Sequence, residues 1–135
     1  MTRFAALMIL LVLSGCASEH GTCLLASQQR MAVVELFFGR DIPGREPLTD
    51  KEWSGFAASV ASREFPNGFT VIDGDGEWRD PATQNVTYER TKILTAAVAN
   101  VPELAARISR VRDAYSHMYR QTSVGLLSYD ACGQF

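Results

Sequence analysis

The run Met31-Ala-Val-Val-Glu-Leu-Phe-Phe-Gly-Arg40 constrains the fold most, because Glu35 is its only charge before the closing Gly39-Arg40. Its β-branched and aromatic residues suit a pleated strand, and a stretch this apolar has to be covered on at least one side. Alternation puts Ala32, Val34, Leu36 and Phe38 on one face and Met31, Val33, Glu35 and Phe37 on the other. The first set is uniformly apolar and predicts a central strand packed on helices. Glu35 then belongs to the open face of the sheet.

The segments after this strand supply the partners it needs. Asp41 to Leu48 holds two prolines and a glycine and reads as a loop. Thr49-Asp-Lys-Glu52 has capping-box spacing, and Trp53, Phe56, Ala57, Val60 and Ala61 then fall on one helical face until Pro66-Asn-Gly68 ends it. Phe69 to Asp73 predicts a short strand, Gly74-Asp-Gly76 a hairpin turn, and Glu77 to Arg79 a return broken at Asp80-Pro81. The strand resumes from Thr87 to Val98. Asn100 is the expected cap of a second helix, with Pro102 in its first turn. Leu104, Ile108, Val111, Tyr115 and Met118 form its apolar face, and Ser123 to Asp130 forms the last strand. The order strand, helix, strand, strand, helix, strand predicts an α+β, ferredoxin-like βαββαβ domain. Right-handed crossovers give a four-stranded antiparallel sheet in the order 4-1-3-2, with both helices on one face.

The N-terminus predicts an address. Arg3 followed by the apolar run Phe4 to Leu13 has the charged start and short hydrophobic centre of a secretory signal, too short to span a bilayer. Leu13-Ser-Gly-Cys16 matches a bacterial lipobox, in which the cysteine sulfur receives diacylglycerol; the alternative is an ordinary signal peptide with a chance cysteine. On the lipobox reading residues 1–15 are a lipoprotein signal peptide, 16–30 a tether and 31–135 a single domain. Acyl chains such as palmitate on Cys16 then hold the protein on a membrane, since each buried methylene adds about 0.8 kcal/mol. Ala17, in place of Asp, resembles an outer-membrane sorting signal, which places the domain in the periplasm of a Gram-negative source. Three cysteines is an odd number, and lipidation of Cys16 leaves Cys23 and Cys132. In an oxidising compartment these two can pair, one just before the first strand and one just after the last; the alternative is two separate buried thiols.

Several activities find no support. A net charge of −2 without a basic block gives no nucleic-acid footprint. His20 and His117 are the only histidines, so neither a metal centre nor a cofactor site is expected. Asp73-Gly-Asp75-Gly-Glu77 begins like a calcium loop, but Trp78 and Gln84 stand where that loop needs glycine and glutamate. Arg107, Arg110, Arg112 and Arg120 decorate the second helix and its exit, more simply as a solvated face than as a phosphate-binding patch. On the third strand Lys92 shares a face with Leu94, and on the fourth Tyr129 shares one with Gly125 and Leu127. Were these faces that of Glu35, a carboxylate, an ammonium and a phenol would meet on an apolar floor, a weak catalytic candidate. The plainer reading is a structural ion pair, or a polar spot in a homodimer interface on the open sheet face.

Glu35-Leu-Phe-Phe-Gly39, the helix with Trp53 and Phe56, Phe65-Pro-Asn-Gly-Phe-Thr-Val-Ile-Asp73 before Trp78, Lys92 and the tail Cys132 together resemble the domain of unknown function 3574 family. The resemblance runs from about residue 22 onward. It implies a small exported bacterial protein, often a lipoprotein, and brings no catalytic residues with it. The expected function is therefore a lipid-anchored cell-envelope protein acting as a binding or interaction module. The alternative is a small enzyme with its pocket on the open sheet face, completed by dimerisation.

Overall fold

A computed structural model describes residues 23–80, 82–99 and 101–135. Strand β1 (Gln29–Gly39) is the centre of the sheet, and its alternation sorts as its residue types demand: Val34, Leu36 and Phe38 are fully buried. Strands β2 (Thr70–Arg79), β3 (Val86–Val98) and β4 (Gly125–Gly133) complete a sheet of order β2-β3-β1-β4, the expected 4-1-3-2 order read from its other edge. Every neighbouring pair is antiparallel. The fold is α+β and ferredoxin-like. β1 begins at Gln29, two residues inside the segment expected to be tether. The signal peptide, Cys16, His20 and the tether up to residue 22 lie outside the described residues.

Helix α1 covers residues 50–64, as an α-helix Asp50–Phe56, a π-helical stretch Ala57–Ala61 and a last turn Ser62–Glu64. The Thr49 hydroxyl accepts from the Glu52 amide at 3.2 Å while the Glu52 carboxylate accepts from the Thr49 amide at 2.9 Å, which completes the capping box. Gly68, at φ 101°, turns the chain away from the helix end. Helix α2 (Leu104–Tyr119) starts later than expected, with Glu103 at its cap and no side-chain hydrogen bond there. The expected cap, Asn100, lies outside the described residues. Leu104, Ile108, Val111 and Tyr115 are buried, but Met118 is exposed and Tyr119 takes its place against Phe56, because the chain follows Tyr115 by a four-residue step.

Phe38 is the hub of the core. Its ring centroid lies 5.0 Å from Trp53, 5.8 Å from Phe56 and 4.7 Å from Tyr115, so one strand residue ties both helices to the sheet. Aromatic pairs at these separations add about 0.5–1.5 kcal/mol each beyond their burial. The Tyr115 hydroxyl donates to the Gly39 carbonyl at 2.8 Å, so its polar end is satisfied as well.

The expected turn at Gly74-Asp-Gly76 is not a turn. β2 runs straight through it, since glycine tolerates extended backbone, and the chain reverses at residues 80–85 instead. There Asp80 accepts the amides of Ala82 at 2.7 Å and Thr83 at 2.9 Å, while Gln84 adopts φ 63°. The hairpin is therefore longer than expected, and its far half extends past the end of β1.

Cys23 and Cys132 form a disulfide with Cα atoms 5.6 Å apart, 109 residues distant in sequence. Cys132 lies within β4, not after it, opposite Arg30 in the ladder. The antiparallel pairing of β1 with β4 brings the segment before β1 to this end of β4.

Candidate functional site

The β1–β3 register separates the three residues that were candidates for one site. Glu35 pairs with Thr95, whereas Lys92 pairs with Phe38. Directly opposed residues share a face, so Lys92 belongs to the helix side with Leu94 and does not meet Glu35. Its ammonium is buried, 2.8 Å from Asp50 and 2.6 Å from Asp73. Burial pushes its pKa down, but the two carboxylates outweigh that and hold it above the usual value. Arg40, also buried, reaches the same two carboxylates at 3.3 and 3.5 Å and donates from Nε to the Leu48 carbonyl at 2.8 Å. The cluster pins the start of α1 to the sheet at Arg40, Lys92 and Asp73.

Glu35 and Tyr129 do share the open face. The Tyr129 hydroxyl donates to Glu35 Oε1 at 3.3 Å, and partial desolvation together with the carboxylate's charge raises the phenol's pKa. Tyr129 and its neighbour Leu127 are both about half exposed. Neither residue lines the cavity that begins beside them at Phe37 and Gly125.

That cavity lies further along the same face and has a volume of about 650 Å³. Its floor is Phe37, Ile93 and Thr91; Trp78 and Thr87 on the overhanging hairpin form one wall, and the segment from Arg120 to Gly125 forms the other. Glycines lower the floor. A Cβ at Gly39 would overlap the Glu89 carboxylate, one at Gly125 would come within 3.2 Å of Phe37, and one at Gly74 within 3.1 Å of Ile93. Glu89 can therefore fold across the strand, where Oε1 accepts from the Asp41 amide at 2.8 Å. Burial pushes the Glu89 carboxyl above the usual range and the nearby Asp41 charge adds to this, against the Asp41 amide bond, which pulls it down.

Sequence reasoning missed Glu89 although a signal existed. Counting by twos from Ile93 gives Thr91, Glu89 and Thr87 on one face, and the apolar set Leu94, Ala96 and Val98 marks the other as core. Of the arginines on and after α2, Arg110 pairs with Glu64 at 2.7 Å, Arg112 donates to the Val124 carbonyl at 3.0 Å, and Arg120 lines the cavity. Among the described residues no group of three or more His, Cys, Asp or Glu could hold a metal ion.

A family model described as "Protein of unknown function (DUF3574)" matches residues 33–135. No curated protein matches. Among solved structures, a phage SAM lyase in complex with S-methyl-5'-thioadenosine shares 10% identity at a TM-score of 0.56, covering 76% of this chain and 90% of the lyase. The phage SAM lyase in its apo state gives 10% identity and a TM-score of 0.54 over 78% of this chain and 92% of the lyase. At such identity the likeness is one of fold.

Proposed function

Because the chain belongs to the DUF3574 family, whose members have no known function, its own site has to carry the reading, and we propose a small-molecule-binding module of the bacterial cell envelope. The observation behind it is the cavity of about 650 Å³ on the open sheet face, a size typical of small-ligand sites. It has an apolar floor of Phe37 and Ile93 and one half-buried carboxylate, Glu89. In this reading the domain hangs from diacylglycerol and an amide-linked acyl chain such as palmitate on Cys16, in the outer membrane facing the periplasm. An oxidising compartment suits the Cys23–Cys132 bridge. If two copies associate, Ile72, Leu127 and Tyr129 are the exposed apolar surface they would bury.

A thermal-shift panel of small metabolites tests the binding reading, with Thr91→Trp as the variant that fills the floor. A ligand at 100 times its Kd stabilises by about 2.7 kcal/mol. The reading requires a shift in the wild type that Thr91→Trp removes. Shifts unaffected by that variant would place binding elsewhere.

A small enzyme working in the same cavity is the second reading, supported by the raised pKa of Glu89 and by the fold shared with a phage SAM lyase. Release of S-methyl-5'-thioadenosine from SAM, lost in Glu89→Gln, would favour it. Intact SAM after prolonged incubation would count against that chemistry.

A further inference from the structure

Glu89, half-buried in the cavity, lacks the cation that balances the ion-paired carboxylates. Glu64 has Arg110 at 2.7 Å, Glu52 has Arg45 at 2.8 Å, and Asp50 and Asp73 share Lys92 and Arg40. Glu89 has a single backbone amide, that of Asp41, and Asp41 itself adds negative charge beside it. Among the described residues no lysine or arginine forms an ion pair with it, although Arg120 lines the same cavity. A carboxylate withdrawn from water is ordinarily matched by a cation or by several donors. The cavity that Glu89 lines also presents Phe37, Ile93 and Trp78, beside the carboxylates of Asp41, Asp75 and Glu77. Aromatic faces attract cations more than neutral or anionic groups.

Resting on the binding reading above, we propose that the cavity takes an organic ammonium ion, its nitrogen on Glu89 and its apolar body over Phe37, Ile93 and Trp78. Both parts of the site are needed. Glu89 supplies the missing counter-charge, and the floor rejects a fully hydrated inorganic cation in favour of a molecule with a hydrocarbon or aromatic portion.

Trp78, 58% exposed on the cavity wall, and Trp53, buried in the core, are the only tryptophans, so Trp78 is a built-in reporter. The experiment is a fluorescence titration of the full protein in detergent with three isosteric probes: benzylammonium, benzyl alcohol and benzoate. Benzylammonium should bind at least about tenfold more tightly than the alcohol, a difference of 1.4 kcal/mol. Benzoate should bind most weakly. Glu89→Gln should weaken benzylammonium binding far more than benzyl alcohol binding and so erase the ammonium preference, with circular dichroism and a cooperative melt verifying that the variant is folded. Should that variant fail to fold, the wild-type ratio of ammonium to alcohol decides alone. Equal or tighter binding of the alcohol or benzoate would overturn the ammonium assignment and leave the binding reading standing. If no probe gives a saturable response that Trp78→Phe removes, the ammonium assignment is overturned, and the metabolite panel with Thr91→Trp decides the binding reading separately.

Discussion

Lys92 stands across the central ladder from Phe38, and its ammonium joins Asp50 at the start of α1 to Asp73 on β2. The two cations of this cluster are buried, whereas the side chains of Asp50 and Asp73 are 73% and 62% exposed. That asymmetry makes the two kinds of substitution unequal. Lys92→Met keeps the buried stem and leaves carboxylates that water can solvate, so it should change stability by less than about 1 kcal/mol. The double variant Asp50→Asn/Asp73→Asn leaves Arg40 and Lys92 buried without a counter-charge. Its loss in urea unfolding should be at least about twice that of Lys92→Met. Equal losses would mean that the cations are better hydrated than their burial indicates.

Acid should weaken the fold through the first turn of α1. The Thr49 amide and hydroxyl, with Arg45, hold the Glu52 carboxyl down to about 2 from its ordinary 4.5. A depressed folded pKa means that the unfolded chain takes up the proton first. The contribution is therefore complete above about pH 4.5 and is lost as pH falls toward 2. The Lys92 hydrogen bond lowers Asp50 in the same direction, so its contribution is also lost on acidification. Unfolding midpoints measured from pH 7 to pH 2 should fall in this window, and Glu52→Gln should make the fall shallower.

Removing the bridge should cost more than any single surface change. A disulfide closing 109 residues stabilises by about 4–5 kcal/mol in the chain-entropy model, and measured losses in small exported domains are about 2–5 kcal/mol. Cys23→Ser/Cys132→Ser should therefore lower the unfolding midpoint substantially and make it insensitive to reductant. A wild-type midpoint that does not move on reduction would show that the bridge contributes little.

The buried hydroxyl of Tyr115 gives a finer test of the core. Tyr115→Phe keeps the ring edge-on against Phe38 and Phe56 but leaves the Gly39 carbonyl without its 2.8 Å donor. The expected loss is about 1–2 kcal/mol. Burial raises the phenol's pKa well above the ordinary value, so alkaline titration should show one tyrosine that ionises only on unfolding.

The proposed anchor is tested by fractionation. Cys16→Ala should move the protein from the membrane to the soluble fraction and remove the acyl mass from the intact protein. Unchanged membrane association would defeat the lipid-anchor reading.

The central strand, both amphipathic helices, the capping box at Thr49 and the strand order were legible from local periodicity and the handedness of crossovers, because side-chain direction repeats every two residues in a strand and every three or four in a helix. Counting the cysteines left pairing of Cys23 with Cys132 or two separate thiols as the readings, and the packed sheet decides for the pair. The register of β3 against β1 was another matter. The apolar set Leu94, Ala96 and Val98 already marks the face that Lys92 shares, but a shift by one residue exchanges the partners, and only the packed sheet decides that Lys92 meets Asp50 and Asp73 while Glu89 reaches the Asp41 amide. The reversal at residues 80–85 in place of Gly74-Asp-Gly76 belongs with it, since glycine permits either a turn or a strand and the ladder of β2 with β3 selects the strand. The sequence by itself thus determined the elements and their order, which depend on neighbours along the chain. The tertiary structure decided which charges meet, because that depends on contacts between residues dozens of positions apart.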